Sequence, residues 1–590
     1  MNHSHSFRVP GHGLKNLLPL AAGALLLFSA SIASAQVVLA PTTPQIGSSN
    51  TVSADPPVPR PNTKPCTVQL FQNEEFDNFN IMNFNFTPPA GCPGPWAKVV
   101  FTADFTVTAG NQFDRTATFF IGGANIFFGT TAEPRATLSP SWHVESDLTD
   151  LSAIFKTPQA GTAILGNFVG ISGGQDFNGI IFANAALEFF PASFINPAPR
   201  VPDVVIGLQG NNGAATLNTT ASQLSQTITF PTNVESAYLD VISQSQSADE
   251  FWYFCVPNNI AAEVGECGNT GFRETEVSID GQPAGVAPVY PWVYTGGDDP
   301  NLWEPIPGVQ TLNLKPYRVD LTPFAGLLSN GQQHTVAVSV FNADSFFSDT
   351  ATLLLFTDHN SKKVTGGVLS NNLAGEPSPV VTENITTGTG GSFSGPVVVT
   401  SARNFSITGF VNTSHGRVET TVNQKMNFSS NQNLVNNATT FIEDLTQSTT
   451  VQAQTITRNG FLVTDTEKNF SYPFTFNINE TTNTNGTIQL QTTADQQFLV
   501  NDAINQDGFP VFTSQTSNHV STQDTEQFNA AGTALLSSTQ KSSQTYDTHN
   551  STGYCFSDTL TSADLKLTSD AKGKDCPTQG FGGQPHFPLF

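Results

Sequence analysis

Two short stretches hold the ionisable chemistry of this chain. "QFDR" sets Asp114 beside Arg115 at the mouth of an apolar strand, and "ADEFWYF" sets Asp249 and Glu250 beside Trp252. With only 12% of its residues charged, the chain has little reason to spend an ion pair on that strand for solubility alone. Carboxyl groups in two such settings suit opposite roles. An adjacent guanidinium depresses the pKa of Asp114 so that it stays ionised as a base, and packing against an indole raises that of Glu250 so that it stays protonated as an acid. A base that activates water and a protonated group that donates to a leaving atom are the two halves of general acid–base hydrolysis. Asp249 and Glu274 are alternatives to Glu250 as the second carboxyl, and Arg273, next to Glu274 in "FRE", pairs with it or with the site.

Two other motifs read as turns. "GISGG" at 170–174 matches the Gly-x-Ser-x-Gly elbow but sits in β-rich sequence rather than in a strand-turn-helix. "GGDDPN" at 296–301 lacks the spaced ligands and later glutamate of a calcium loop. The six cysteines form no CxxC or Cys/His cluster, and no metal or cofactor is expected.

The elements that must position these residues read as strands. From Cys66 to 192, short alternating segments such as "KVVFTADFTVTA" and "GIIFANAALEFF" are separated by Gly, Pro, Asn and Asp turns, the pattern of a β-sandwich. After the linker "PASFINPAPRVPD", a second such set fills 203–360, including "TVAVSVFNA" and "TATLLLF". Residues 361–395 read as a linker, and 396–590 as a Thr/Asn-rich region of exposed, polar β-structure with apolar residues at period two. The fold class expected is all-β: two tandem sandwiches plus a β-rich C-terminal region.

The N-terminus places the protein outside the cell. Arg8 and Lys15, the apolar run Leu17 to Ile32 and the Ala33-Ser34-Ala35 box read as a signal peptide over 1–35, cleaved near Ala35 into a secreted or periplasmic product. A proline-rich tether at 36–65 follows, unable by composition to pack a core. An oxidising destination suits three sequence-local disulfides, Cys66 with Cys92, Cys255 with Cys267 and Cys555 with Cys576, each closing a short loop. A net charge of −24 disfavours nucleic acid and anionic membranes as partners, and scarce Lys and Arg suit an acid medium, where protonating carboxylates discharges the chain. A monomer is expected.

Several pieces in order, "CTVQLFQ", "FTPPAGCPGPWAKVVF", "QFDR", "GTTAEPR", "WHVESDLTDLSAIF", "DEFWYFCVPN", "FRETEVSIDGQPAGVAPVYPWVYTGG", "LWEPI" and "YRVDLTPF", resemble the acid-active peptide-N-glycanase A family. "SARNFSITGFVNTSHGRVETTV" at 401–422 resembles its continuation. The resemblance implies two jelly-roll sandwiches side by side as the catalytic core, with the site at their interface. It also implies an amidase that acts on N-glycosylated peptides and glycoproteins, leaving aspartate and releasing the glycan as a glycosylamine. Phe113-Asp114-Arg115 is similar to an essential Trp-Asp-Arg triplet of bacterial relatives, and Glu250 with Trp252 to their Glu-Trp. Asn167 stands where those relatives carry a third carboxylate, which argues against a three-carboxylate scheme; an amide can bind a sugar hydroxyl but cannot act as a base. Glu133, Arg135, Trp142 and Trp303 are expected as walls of the site, because aromatic faces and bidentate arginines suit sugars and peptide carbonyls. A carbohydrate-binding adhesin and an endoglycosidase are the alternatives.

Overall fold

The computed structural model describes residues 44–573 and Cys576, so the signal peptide expected at 1–35 lies outside the described residues. Strands dominate, as the alternation predicts. The first sandwich packs the antiparallel sheet Cys66–Phe76, Ile181–Pro191, Trp96–Val107, Ser141–Asp147 on a second sheet of Ile81–Phe86, Gln159–Leu165, Thr116–Ile121, Ala124–Thr130. Its core is a phenylalanine cluster in which Phe119 touches Phe71, Phe76, Phe101, Phe105 and Phe127. Trp142 stacks on Phe105 inside that core at 5.3 Å and forms no wall. "GISGG" is the turn of a two-stranded hairpin, with Gly173 and Gly174 at φ 60° and 84°.

The second sandwich repeats the plan. Val204–Gly207, Phe346–Thr357, Val234–Gln246 and Tyr317–Asp320 face Leu224–Thr229, Gln333–Phe341, Glu274–Ile279 and Gln282–Pro288. The two sandwiches are welded by backbone: Thr130 N–H donates to the Thr311 carbonyl at 2.9 Å, and Leu314 N–H to that of Phe128 at 2.8 Å. Gly129 permits the approach, since a Cβ there would lie 2.3 Å from the Leu312 carbonyl oxygen.

The C-terminal region is one twelve-stranded antiparallel sheet, with strands of up to 21 residues such as Phe393–Thr413 and Gly416–Asn436. Its period-two burial explains the composition. Phe405, Phe428, Tyr472, Phe474 and Phe476 join the core of the second sandwich, and Gln424 and Gln432 on the same face donate to the carbonyls of Val286 and Phe254, while the alternating Lys425, Asn427, Ser429, Asn431 and Asn433 face water. Two expectations are corrected. The stretch 361–395 contributes strands Thr365–Asn371, Val380–Glu383 and Thr386–Thr387 to this sheet's edge, where they pair with Phe393–Thr413. The proline-rich stretch does pack: Ala54 is fully buried beside Ile306, Leu560 and Leu567, its N–H donates to Gln544, and Arg60 bonds Glu145 and Glu188. Segments with few apolar residues gain order here by hydrogen bonding to a surface that other elements supply.

Cysteine neighbours pair as spacing predicts, in the bonds Cys66–Cys92, Cys255–Cys267 and Cys555–Cys576.

Candidate active site

Asp114 lies at the end of the loop that enters strand Thr116–Ile121, half-buried at the junction of the sandwiches. Its Oδ2 accepts the N–H of Gly296, from the second sandwich, at 3.0 Å. Arg115 does not grip that carboxylate as expected. Its Nη1 donates to the Asp114 main-chain carbonyl at 3.2 Å, its guanidinium lies over the Phe113 ring at 5.2 Å, and its Nε is buried with no partner among the described residues. Burial therefore raises the Asp114 pKa on balance, against the lowering effects of the Gly296 N–H and the Arg115 charge.

Glu250 closes the Ser247–Asp249 turn at the end of strand Val234–Gln246, where Ser247 adopts a left-handed φ of 56°. Burial, then the charges of Asp114 and Glu133, push its carboxyl up to about 8. The neighbours that raise it are thus carboxylates from the first sandwich. Trp252 points elsewhere: it is fully buried beside Tyr253 and Phe428.

Glu133 adds a third carboxyl beside Asp114 and Glu250. Its Oε2 accepts the Asp114 N–H at 2.9 Å, and burial followed by the Asp114 charge pushes it up to about 8. Asn167 is itself fully buried, with Nδ2 donating to the carbonyls of Phe76 and Gly179, and is out of reach of a sugar.

The other candidates serve the frame. Asp249 is fully buried and saturated: Oδ1 accepts Arg273 Nε and Nη2 at 3.1 and 2.8 Å, and Oδ2 accepts the N–H groups of Asp344, Ser345 and Phe346. A buried pair with every lone pair used is a structural pin, and this one anchors the turn that presents Glu250. Glu274 points from Arg273 to the opposite face of its strand, 3.3 Å from Arg403 of the long sheet. Trp303 is buried, its Nε1 donating to the Gly297 carbonyl at 2.9 Å, which steadies the loop carrying Gly296. Arg135 pairs with Glu304 at 2.8 Å.

Sequence reasoning missed Tyr294 and Gly296, both in the quoted "VYTGG". Tyr294 is buried, its hydroxyl donates to the Ser245 carbonyl at 2.6 Å, and burial, then the charges of Glu250 and Asp114, raise its pKa. Gly296 leaves the space that Glu133 fills, since a Cβ there would lie 2.0 Å from Glu133 Oε2 and push that carboxyl aside. Among the described residues, one group has metal-type spacing, Glu235, Asp358 and His415. Asp358 there already accepts bonds from Ser414 and Asn360, which fixes the Thr413–Gly416 turn of the long sheet to the second sandwich.

An aspartate and two raised carboxyl groups, held across the seam of two β-sandwiches, make an acid–base centre of the kind used by hydrolases. The family model for peptide N-acetyl-beta-D-glucosaminyl asparaginase amidase A matches residues 56–371, and that for the PNGase_A C-terminal domain matches 397–474. The chain belongs to this amidase A family. A peptide-N4-(N-acetyl-beta-glucosaminyl)asparagine amidase A from Prunus dulcis is 30% identical over 387 residues, covering 62% of this chain and 66% of that protein, slightly under two thirds of its length. Among solved structures, PNGase F from Flavobacterium meningosepticum matches with 12% identity and a TM-score of 0.34, over 50% of this chain and 96% of that one. PNGF-II matches with 14% identity and a TM-score of 0.34, over 50% and 66%.

Proposed function

We propose that the chain is a secreted glycoamidase that hydrolyses the side-chain amide of N-glycosylated asparagine in peptides and glycoproteins. Asp114, ionised, takes a proton from water as the water attacks the amide carbonyl. The Arg115 charge beside Asp114 favours the ionised form of that carboxylate. Glu250, protonated, gives its proton to the departing nitrogen. The peptide retains aspartate, and the glycan leaves as a glycosylamine that then loses ammonia. The observation that carries this reading is the Asp114 carboxylate held across the junction of the sandwiches by the Gly296 N–H at 3.0 Å, with Glu133 on its main-chain N–H at 2.9 Å and the Asp114 charge among the causes that raise Glu250. Three disulfides agree with an oxidising, extracytoplasmic setting, and among the described residues no helix is long and apolar enough to cross a membrane.

Product analysis on a glycopeptide tests it. The amidase converts the site asparagine to aspartate and frees an intact glycan. An endoglycosidase leaves one sugar on asparagine, and a binding protein leaves the substrate unchanged; either result rejects the proposal.

A further inference from the structure

Glu133 is expected as a wall of the site, yet its carboxyl is hydrogen-bonded to the protein itself. Its Oε2 accepts the main-chain N–H of Asp114 at 2.9 Å. It also fills the space beside Gly296, where a Cβ would lie 2.0 Å from Glu133 Oε2 and 3.3 Å from Asp114 Cγ. The Gly296 N–H in turn reaches Asp114 Oδ2 at 3.0 Å. Asp114 is therefore held at both ends, by Glu133 on its backbone and by Gly296 on its carboxylate, and the two holders pack against each other across the sandwich seam. Neighbouring bonds brace the clamp: Thr295 Oγ1 donates to the Thr131 carbonyl at 2.7 Å, and Thr131 N–H to that of Arg115 at 2.9 Å.

Building on Asp114 as the base, we propose that Glu133 is a positioning residue that works as a neutral carboxyl, seating both the Asp114 backbone and Gly296 so that the ionised Asp114 carboxylate is aimed at water. The charged and titratable groups facing Glu133 are Asp114 and Arg115 on its own sandwich and Glu250 on the other. Adjacent buried carboxyl groups do not readily ionise together, and Asp114, with the Gly296 N–H and the nearby Arg115, is the one equipped to hold the charge. Glu133, pushed up to about 8, remains protonated through the acid range. Protons are exchanged by Asp114 and Glu250 alone.

The test uses the full chain, a glycopeptide, kcat against pH, and the melting temperature of each variant. Glu133→Gln keeps a neutral acceptor for the Asp114 N–H, so kcat falls by no more than about tenfold and the acid limb stays in place. Glu133→Ala loses the acceptor and the wedge; misplacing the base lowers kcat by about 10²-fold. Its acid limb moves to higher pH, because the Gly296 bond that favours ionised Asp114 is weakened. Should Glu133→Ala not fold, Gly296→Ala, which forces Glu133 aside, gives the same upward shift. A folded Glu133→Gln as impaired as Glu133→Ala would make Glu133 a proton-exchanging group and overturn the proposal. So would an unmoved acid limb in both Glu133→Ala and Gly296→Ala. Asp114→Asn measured alongside separates the two readings: full activity there rejects the base itself, whereas loss there with a normal Glu133→Ala rejects the clamp alone.

Discussion

The cleft between the sandwiches and the seam beneath the long sheet are built from the same short motifs. In "ADEFWYF", Glu250 is raised by the charges of Asp114 and Glu133 across the sandwich junction, Asp249 is locked in the frame by Arg273, and Trp252 and Tyr253 lie against Phe428 and Phe474 of the sheet. In "GGDDPN", Gly296 touches Asp114, while Asp299 meets the charges of Asp524 and Glu526 from the sheet. Successive residues of a tight turn point in different directions, so one motif supplies two surfaces. Carboxyl groups go to both surfaces, whereas the aromatic rings go to the seam. Aromatic residues that resemble sugar platforms in the sequence are here the floor on which a distant segment rests.

This contrast is most sharply tested by paired substitutions. Asp114→Asn keeps the packing but cannot take a proton, and kcat falls by about 10² to 10⁴ with little change in melting temperature. Trp252→Ala does the reverse. Removing a fully buried indole from the seam costs about 3–5 kcal/mol, read as a lower denaturation midpoint, while kcat of the folded fraction holds. A Trp252→Ala protein of normal stability with a large rise in KM would return that indole to the cleft.

The pH dependence of rate is the next largest effect. The Asp114 pKa is raised, so the acid limb of kcat lies above the ordinary aspartate range; the Glu250 and Glu133 pair titrates near 8 and sets the alkaline limb. Glu250→Gln removes most of the rate and leaves an alkaline limb set by Glu133 alone. An alkaline limb that coincides with loss of the near-UV signal would assign it to unfolding instead.

What the sequence made legible follows from locality. Alternation marks strands, and the cysteine neighbours Cys255 and Cys267 close a loop that a twelve-residue separation allows. Asp114 and Glu250 are singled out by their similarity to the Trp-Asp-Arg and Glu-Trp of bacterial relatives rather than by local pattern, and their roles remain part of the proposal. The rest depends on contacts far along the chain. Asp249 is saturated by N–H groups almost a hundred residues away, from 344 to 346, and the covering of Trp252 is written at Phe428. Gly296 shows its purpose only once Glu133 is beside it.

The seam should have a pH dependence of its own, smaller than the effect on rate. Asp298 and Glu526 are pushed up to about 7, and Asp299 is raised further, mainly by burial and then by Asp524 and Glu526. None of these three joins an ion pair among the described residues. A folded-state pKa above the unfolded value means that the stabilising contribution is complete below about pH 4 and is lost as pH rises through about 7. The melting temperature should fall across that window, and Asp299→Asn with Glu526→Gln should flatten the decline. An unchanged profile in the double variant would remove the acidic seam as its cause.

The smallest effect is expected at Arg135, a candidate wall that belongs to neither surface. Its Nε and Nη2 bond Glu304, and Nη2 also reaches Ser49 at 3.4 Å, so its charge is engaged with the protein rather than offered to a substrate. The guanidinium is 45% exposed and Glu304 only 8%. Solvent screens such a pair, and the usual contribution is up to about 1 kcal/mol. Arg135→Ala should therefore lower stability slightly and leave KM for a glycopeptide unchanged. A severalfold rise in KM at constant melting temperature would instead give Arg135 to the cleft, and with it a basic contact for the peptide or glycan that the pairing with Glu304 argues against.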